Sequence, residues 1–450
     1  MSPVGVSLDL ARELRAICGE EHVAEKTPKP LRQASKDDTA DRSGIPTPQI
    51  SPAISVSPGS EDEIAAILRL ANQHGFSVVP GGGGTEFRAG AARAEVLLHT
   101  DRLREIEHYD HADLTVGVGA GMTVAQLNTM VGADRLMFAA DPPFAEHATV
   151  GGVLAAASHG PMRHGYGSVR DFCIGIRFVS GDGRKAKGGG RVVKNVAGYD
   201  LMKLLIGSFG TLAVITSASF KLFPAPRQTR TFIAEFGSWQ EALKFRDLIL
   251  HSPLSPMCLE LVSPRARKVM RPEMTGDSWV ICVRGSGSDA ALTRYRKELG
   301  TAVSREVEGE RESAVWRAIE NFPASSEPEL PPLDLLHMFP RFTVTSALAD
   351  TGGVIDVMSE FDQPGSAGVA IIGRVAVGHV HATLWAEDVD LVTPELEFCE
   401  ALQNRLPPGC SLTVSGAAKP CVITPNDYAS MSGVKQALDP NEVLRGRELF

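Results

Sequence analysis

The seven cysteines of this 450-residue chain are scattered, and no C-x-x-C pair occurs among them. That spacing excludes an iron–sulfur cluster of the usual clustered-cysteine type within the chain. An odd, dispersed set fits reduced, mostly buried thiols and a cytoplasmic location. Positive charge is not in excess either. The formal net charge is −9, which argues against a nucleic-acid binder with a basic face. Long apolar runs are missing. The apolar-rich uncharged stretch Leu204–Phe220 has 17 residues and is broken by Gly207 and Gly210. It falls short of the roughly 20 apolar residues a spanning helix needs, and a helix followed by a core strand is expected there. The N-terminus carries Asp9 and Glu13 and has no apolar signal core, so no secretory signal is expected.

What is present is ordinary globular composition, 43% apolar and 22% charged, with 44 glycines. The length suggests two or three domains. The chain is organised around Ala148–Pro226, where tight glycine turns alternate with short apolar strands. Ile174, Ile176 and Phe178 alternate with Gly175, Arg177 and Val179, the period of a strand with one buried face. Gly181-Asp182-Gly183 reads as a hairpin turn. Leu201, Leu204 and Leu205 make one helical face that Gly207 ends, and Thr211–Thr216 is a β-branched run. So many glycines beside apolar strands suggest a large flat ligand held close to the backbone.

Upstream, Leu8, Ala11, Leu14, Ile17 and Cys18 recur at helical spacing. A Pro-, Ser- and Asp-rich arm follows, through residue 50. Ala53–Val56 is a short strand. Ser60-x-x-Glu63 reads as a capping box opening a helix whose buried stripe is Ile64, Ile67, Leu68 and Ala71 and which Gly75 closes. The Phe76–Val79 strand delivers the chain into Pro80-Gly81-Gly82-Gly83-Gly84-Thr85. Such a run is either a flexible turn or a nest of backbone N–H groups around an anion, which side chains would block. Thr115–Met122 invites a nicotinamide reading, but its third glycine falls one position short of G-x-G-x-x-G. A plain strand-to-helix turn is expected, with no NAD site.

Five segments together carry a specific resemblance: Asp141-Pro142-Pro143; Ala148-Thr149-Val150-Gly151-Gly152; Gly167-Ser168-Val169-Arg170-Asp171-Phe172; Lys194-Asn195-Val196-Ala197-Gly198-Tyr199-Asp200-Leu201; and Gly207-Ser208-Phe209-Gly210-Thr211-Leu212. The chain resembles the vanillyl-alcohol oxidase/PCMH flavoprotein superfamily and, within it, the FAD-binding E-type subunits of bacterial glycolate oxidase. The likeness is firm over residues 50–226 and returns at Asp439, Pro440, Gly446 and Arg447. It implies an α+β protein in which a PCMH-type FAD-binding domain of two α/β subdomains precedes an antiparallel-sheet cap with helices on one side. The boundaries it implies are an N-terminal helix and arm at 1–46, the FAD domain at 47–226, the cap at 227–424, and a segment returning to the FAD domain at 425–450.

The resemblance also implies non-covalent FAD, since no flavin-attaching His stands in the glycine run. Cofactor contacts are expected from Pro80, Gly81, Gly82, Gly83, Gly84, Thr85, Pro142, Thr149, Gly151, Gly152, Gly160, Gly167, Ser168, Gly210, Thr211 and Ile215. Ser158-His159-Gly160-Pro161 departs from the relatives' Asn-Ala-Gly-Gly. His379 and His381 share one strand face. They are candidates for substrate contact or a base, although two partly exposed strand histidines are expected first. Relatives pair such a strand with a Glu-His-Gly element to hold a metal. Ser415–Pro420 has neither Glu nor His, so no metal is expected. The implied role is an FAD subunit that oxidises a small 2-hydroxy acid beside a homologous catalytic subunit, passing electrons to an iron–sulfur subunit, in the cytoplasm or at the inner membrane through those partners. A self-sufficient D-lactate or other 2-hydroxy-acid dehydrogenase and a non-catalytic flavin-fold scaffold are the alternatives.

Overall fold

The computed structural model describes residues 3–25, 54–86, 94–190, 200–270, 273–324, 341–362, 368–385, 392–415 and 428–445. Residues 26–50, Ala53, Lys194–Tyr199, Gly416–Pro420, Cys421, Gly446 and Arg447, on which several sequence expectations fall, lie outside these.

The described residues form three main sheets and a small two-stranded one that pairs Leu136–Met137 with Phe223–Pro224. The first has four strands in the order Val23–Glu25, Ile54–Val56, Val96–His99 and Val78–Gly81, the last three parallel. Helices Pro3–Cys18 and Glu61–His74 cover it. Ser60 caps the second helix by accepting the Glu63 N–H at 3.2 Å. The Glu63 carboxylate reaches past the expected position and accepts from the Gly59 N–H at 2.8 Å, so the reciprocal bond is offset by one residue. Gly75 closes the helix in the left-handed region, φ 74°, and Ile64, Ile67, Leu68 and Ala71 are all buried.

The second sheet is antiparallel, in the order Ile106–Asp110, Thr115–Gly119, Ala213–Lys221, Cys173–Ser180 and Lys185–Gly189. The Cys173–Ser180 strand departs from the alternating expectation, because only Arg177 is exposed. One of its faces packs on the core around Phe138 and Phe220, while Val179 joins the core of the first sheet. A strand between two cores loses its polar face. The Leu201–Leu205 helix also differs: Met202 and Leu205 face inward and Leu204 is 37% exposed. Thr115–Gly119 followed by the Thr123-capped helix Val124–Gly132 is the plain strand-to-helix turn expected.

The third sheet has eight antiparallel strands, ordered Val303–Val307, Thr229–Phe236, Trp279–Ser286, Cys258–Val262, Gly368–Arg374, His379–Trp385, Arg341–Thr345 and Ser411–Ser415. Its helices lie on both faces, not one. Trp239–Leu250, Asp289–Leu299, Thr351–Ser359 and Val392–Arg405 bury one face with Phe232, Leu259, Leu261, Ile371 and Val380. Pro264–Val269 and Gly309–Glu320 cover part of the other, against Ile233, Cys258, Val262 and Ile372. This second face has apolar cover over only part of its area, and the uncovered part meets the first half of the chain. There Glu260, Arg374, His379, His381, Thr343 and Thr345 take the positions alternating with the apolar ones.

The last described residues lie along the first sheet. Leu444 bridges Val78 in parallel, and Val443 and Leu444 enter that core. Fully buried Asp439 holds the turn by accepting from the Val443 and Leu444 N–H groups at 2.9 and 2.8 Å.

Candidate active site

Two adjoining regions carry the functional residues. The first is a cleft between the first two sheets. Pro80–Thr85, Thr149, Gly151, Gly152, Gly210 and Ile215 line it, joined by Glu86, Thr100, Ala155, Ala156 and Phe209. The glycine run begins inside the Val78–Gly81 strand, so its first turn is fixed by sheet pairing. A Cβ on Gly82 or Gly83 would collide with the Thr149 hydroxyl or the His147 carbonyl. These positions therefore lack side chains because the loop leans on the 147–149 turn, not only to let an anion approach. Phe209 adopts φ 52° between Gly207 and Gly210, at 88° and 74°, making the tight turn that closes one wall. A backbone-lined loop facing a wall of Ala155, Ala156, Val214 and Ile215 suits a large, flat, partly anionic cofactor.

Five expected residues do not line the cleft. Pro142 is buried beside Asp141, and the Gly160 N–H bonds the Asp141 carboxylate at 2.9 Å. Gly167 ends one short helix and Ser168 begins the next, its hydroxyl and N–H both donating to Asp171 at 2.7 Å. Thr211 turns back on the Ser208 carbonyl at 2.7 Å. Gly160, Gly167, Ser168 and Thr211 thus shape turns or helix ends near these regions.

The second region is that seam, where the uncovered face of the eight-stranded sheet meets residues 141–163. Arg374, 5% exposed, lies at its centre. Its Nη1 is 3.2 Å from His159 Nδ1 and also bonds His381 Nε2. A guanidinium only donates, so both histidine nitrogens present lone pairs. The His381 proton is thereby assigned to Nδ1, which donates to Thr343 Oγ1 at 2.9 Å. His379 pairs with Thr345 at 3.0 Å and meets the His159 ring edge-on, with centroids 4.7 Å apart. His379 and His381 are therefore buried, at 6% and 7% exposure, and not partly exposed as expected. The physical reason is the contact with residues 141–163, which strand pattern alone does not reveal. Burial, then the neighbouring Arg374, holds His159 and His381 well below the usual imidazole range. His379 falls to about 3, through burial and then Arg163 and Arg374. All three rings are neutral near pH 7.

Carboxyl groups complete the seam. Asp141 accepts from the Gly160 and Met162 N–H groups at 2.9 and 2.7 Å, and its burial pushes its pKa upward. Glu260 is fully buried 3.7 Å from Arg374 Nε. Glu86 joins the two regions: it lines the cleft, accepts from Ser158 Oγ at 2.5 Å, and pairs with Arg341 at 3.2 Å. Among the described residues, no group of three or more His, Cys, Asp or Glu is set to hold a metal ion, and no helix is long and apolar enough to cross a membrane.

Sequence reasoning missed Glu260 and Arg374. A trace of each was there, since Glu260 interrupts Cys-Leu-Glu-Leu-Val and Arg374 ends Val-Ala-Ile-Ile-Gly-Arg. A charge within a buried apolar strand needs a partner or a ligand.

Comparison with known proteins agrees with this geometry. Residues 52–187 match the model of an FAD binding domain family. The whole chain superposes on p-cresol methylhydroxylase with substrate bound, with TM-score 0.70 at 15% identity over 99% of this chain and 97% of that one. The chain thus carries an FAD-binding domain in a PCMH-type α+β fold; it is a flavoprotein, and its cofactor is FAD.

More particularly, it is 40% identical to glycolate oxidase subunit GlcE of Escherichia coli over 141 residues, 31% of this chain and 40% of that protein. It is 36% identical to a D-lactate dehydrogenase of Archaeoglobus fulgidus over 228 residues, 50% of each. Similarity to glycolate oxidase subunit GlcD of Bacillus subtilis is 25% over 90% of both chains. The chain thus spans half or less of the first two of these relatives, those of higher identity.

Proposed function

We propose that this chain is an FAD-binding subunit of a glycolate oxidase-type assembly, oxidising a small 2-hydroxy acid at the seam. Its partners are a homologous flavin subunit and an iron–sulfur subunit that takes the electrons. Residues 47–226 hold FAD non-covalently, 227–424 form the substrate cap, and 425–450 return to the FAD domain. The assembly works in the cytoplasm or at the inner face of the membrane. The observation that carries the reading is the buried Arg374–His381–His159 group beside the glycine-lined cleft.

FAD, when bound, supplies a two-electron acceptor. The chain's own residues do the rest. Arg374 takes the substrate carboxylate in a charge-assisted pair, strong in a water-poor seam. That pairing draws the guanidinium off His381 Nε2, whose lone pair then accepts the hydroxyl proton. Thr343 keeps the proton of the free imidazole on Nδ1, the tautomer this requires. Glu86, between cleft and seam, fixes Ser158 and Arg341 on either side.

A self-sufficient dehydrogenase is the second reading, favoured by the fact that one chain supplies both the arginine and the candidate base. Anaerobic addition of glycolate or D-lactate to the purified, FAD-loaded chain separates the two. Bleaching of the flavin band only with the partner subunits present supports the subunit reading, and fast bleaching by the chain alone supports the second. No bleaching in either case removes both and leaves a scaffold.

A further inference from the structure

Among the described residues, Glu260 is a fully buried carboxyl, neither of whose oxygens has a hydrogen-bond partner. Arg374 Nε, 3.7 Å away, is buried and equally without one. A buried ion pair that omits its hydrogen bonds does not repay its desolvation, so packing alone gives no account of this carboxyl. Its place does. Arg374 stands between Glu260 on one side and the lone pairs of His381 and His159 on the other.

We propose that Glu260 is a positioning residue whose ionised form competes with the substrate's carboxylate for Arg374, and whose protonated form releases the guanidinium to the substrate. The proposal rests on Arg374 being the carboxylate receptor of the function above.

Several groups face Glu260. Arg374 approaches from the next strand, and Asp141 from the opposite side of the seam. Cys282 is its direct partner on the neighbouring strand, and Cys258 lies two residues along the same face. Burial raises both thiols, which stay neutral, and His381 is neutral as well. Only Arg374 and Asp141 therefore act on Glu260 as charges. Burial pushes Glu260 up to about 8, with Arg374 opposing and Asp141 assisting. A carboxylate arriving on Arg374 adds negative charge and raises Glu260 further. The anion therefore binds tightly while Glu260 is protonated, and above about pH 8 it must bring a proton with it.

The test is calorimetric titration of the FAD-loaded chain with acetate, a carboxylate with no hydroxyl to oxidise, at pH values on both sides of 8. The dissociation constant should rise about tenfold per pH unit above that point, and Glu260→Gln should abolish the rise. Repeating the wild-type titration in buffers of different ionisation enthalpy should show uptake approaching one proton per acetate on the alkaline side. This second measurement needs no variant. A parallel pH dependence in Glu260→Gln, no proton uptake, or no acetate binding at any pH would overturn the proposal. The two readings fail separately. Bleaching by glycolate with pH-independent acetate binding removes the role of Glu260 and leaves the function. Proton-linked acetate binding without bleaching by any 2-hydroxy acid does the reverse.

Discussion

The cleft and the seam lie side by side and are built on opposite principles. Glycines, alanines and backbone make the cleft, and its lining residues come mainly from four short segments around 79–86, 149–156, 209–210 and 213–215. The seam is made of ionisable side chains from the Asp141–Arg163 region and from four strands of the eight-stranded sheet. A surface without side chains can hold a large cofactor closely but has no group with which to move a proton. A buried set of histidines and an arginine can move protons, but is stable only while every charge has a partner or a ligand. The comparison predicts that seam variants keep their flavin and lose chemistry, and that cleft variants lose the flavin itself.

The largest effect is expected at His381. His381→Asn should slow glycolate-driven flavin bleaching about 10²- to 10⁴-fold, the usual range for a positioned base. Flavin content and acetate affinity should hardly change, and lost flavin in this variant would break the division between the regions. Arg374→Gln comes next. Truncating one partner of a buried charged pair costs about 2–5 kcal/mol, so acetate and glycolate affinity should drop at least about thirtyfold in titration calorimetry. Flavin absorbance relative to protein should stay at the wild-type value.

The third variant, Gly83→Ala, tests the cleft. Its added methyl meets the His147 carbonyl, a backbone atom that cannot rotate away. Overpacking of this kind costs about 1–3 kcal/mol, and thermal unfolding should shift accordingly. The purified variant should be nearly colourless. Full flavin occupancy in Gly83→Ala would show that the loop does not hold FAD. In the wild type, acid precipitation should leave the yellow colour in the supernatant, and a yellow pellet would contradict non-covalent attachment.

Thr343→Val should have the smallest effect. Loss of one hydrogen bond, about 1 kcal/mol, relaxes the His381 tautomer and should slow bleaching about fivefold, with binding unchanged. A shift in acetate affinity instead would place Thr343 in the carboxylate subsite.

Local pattern alone determined much of the FAD half. The Ser60 cap, the Gly75 stop, the Gly82–Thr85 turn after a buried strand and the Gly181–Gly183 hairpin depend on residues within a few positions of one another. Backbone conformation and period are short-range properties, so the sequence carries them openly. Residues gathered from 80, 149–152, 210 and 215 were found through the resemblance and do share one cleft. Pro142, Gly160, Gly167, Ser168 and Thr211 are not among the residues lining that cleft. The alternation at Ile174–Val179 and the face assigned to Leu204 misled because a second core covers the strand and the helix turns its Met202–Leu205 side inward. Only the tertiary structure decided the seam. Asp141, His159, Glu260, Arg374 and His381 are far apart in sequence, and no spacing rule links them. Their burial, and with it the neutral state of the histidines and the raised pKa of Glu260, arises from two surfaces closing on each other, and solvation at a contact is a property of both surfaces that neither strand's sequence contains.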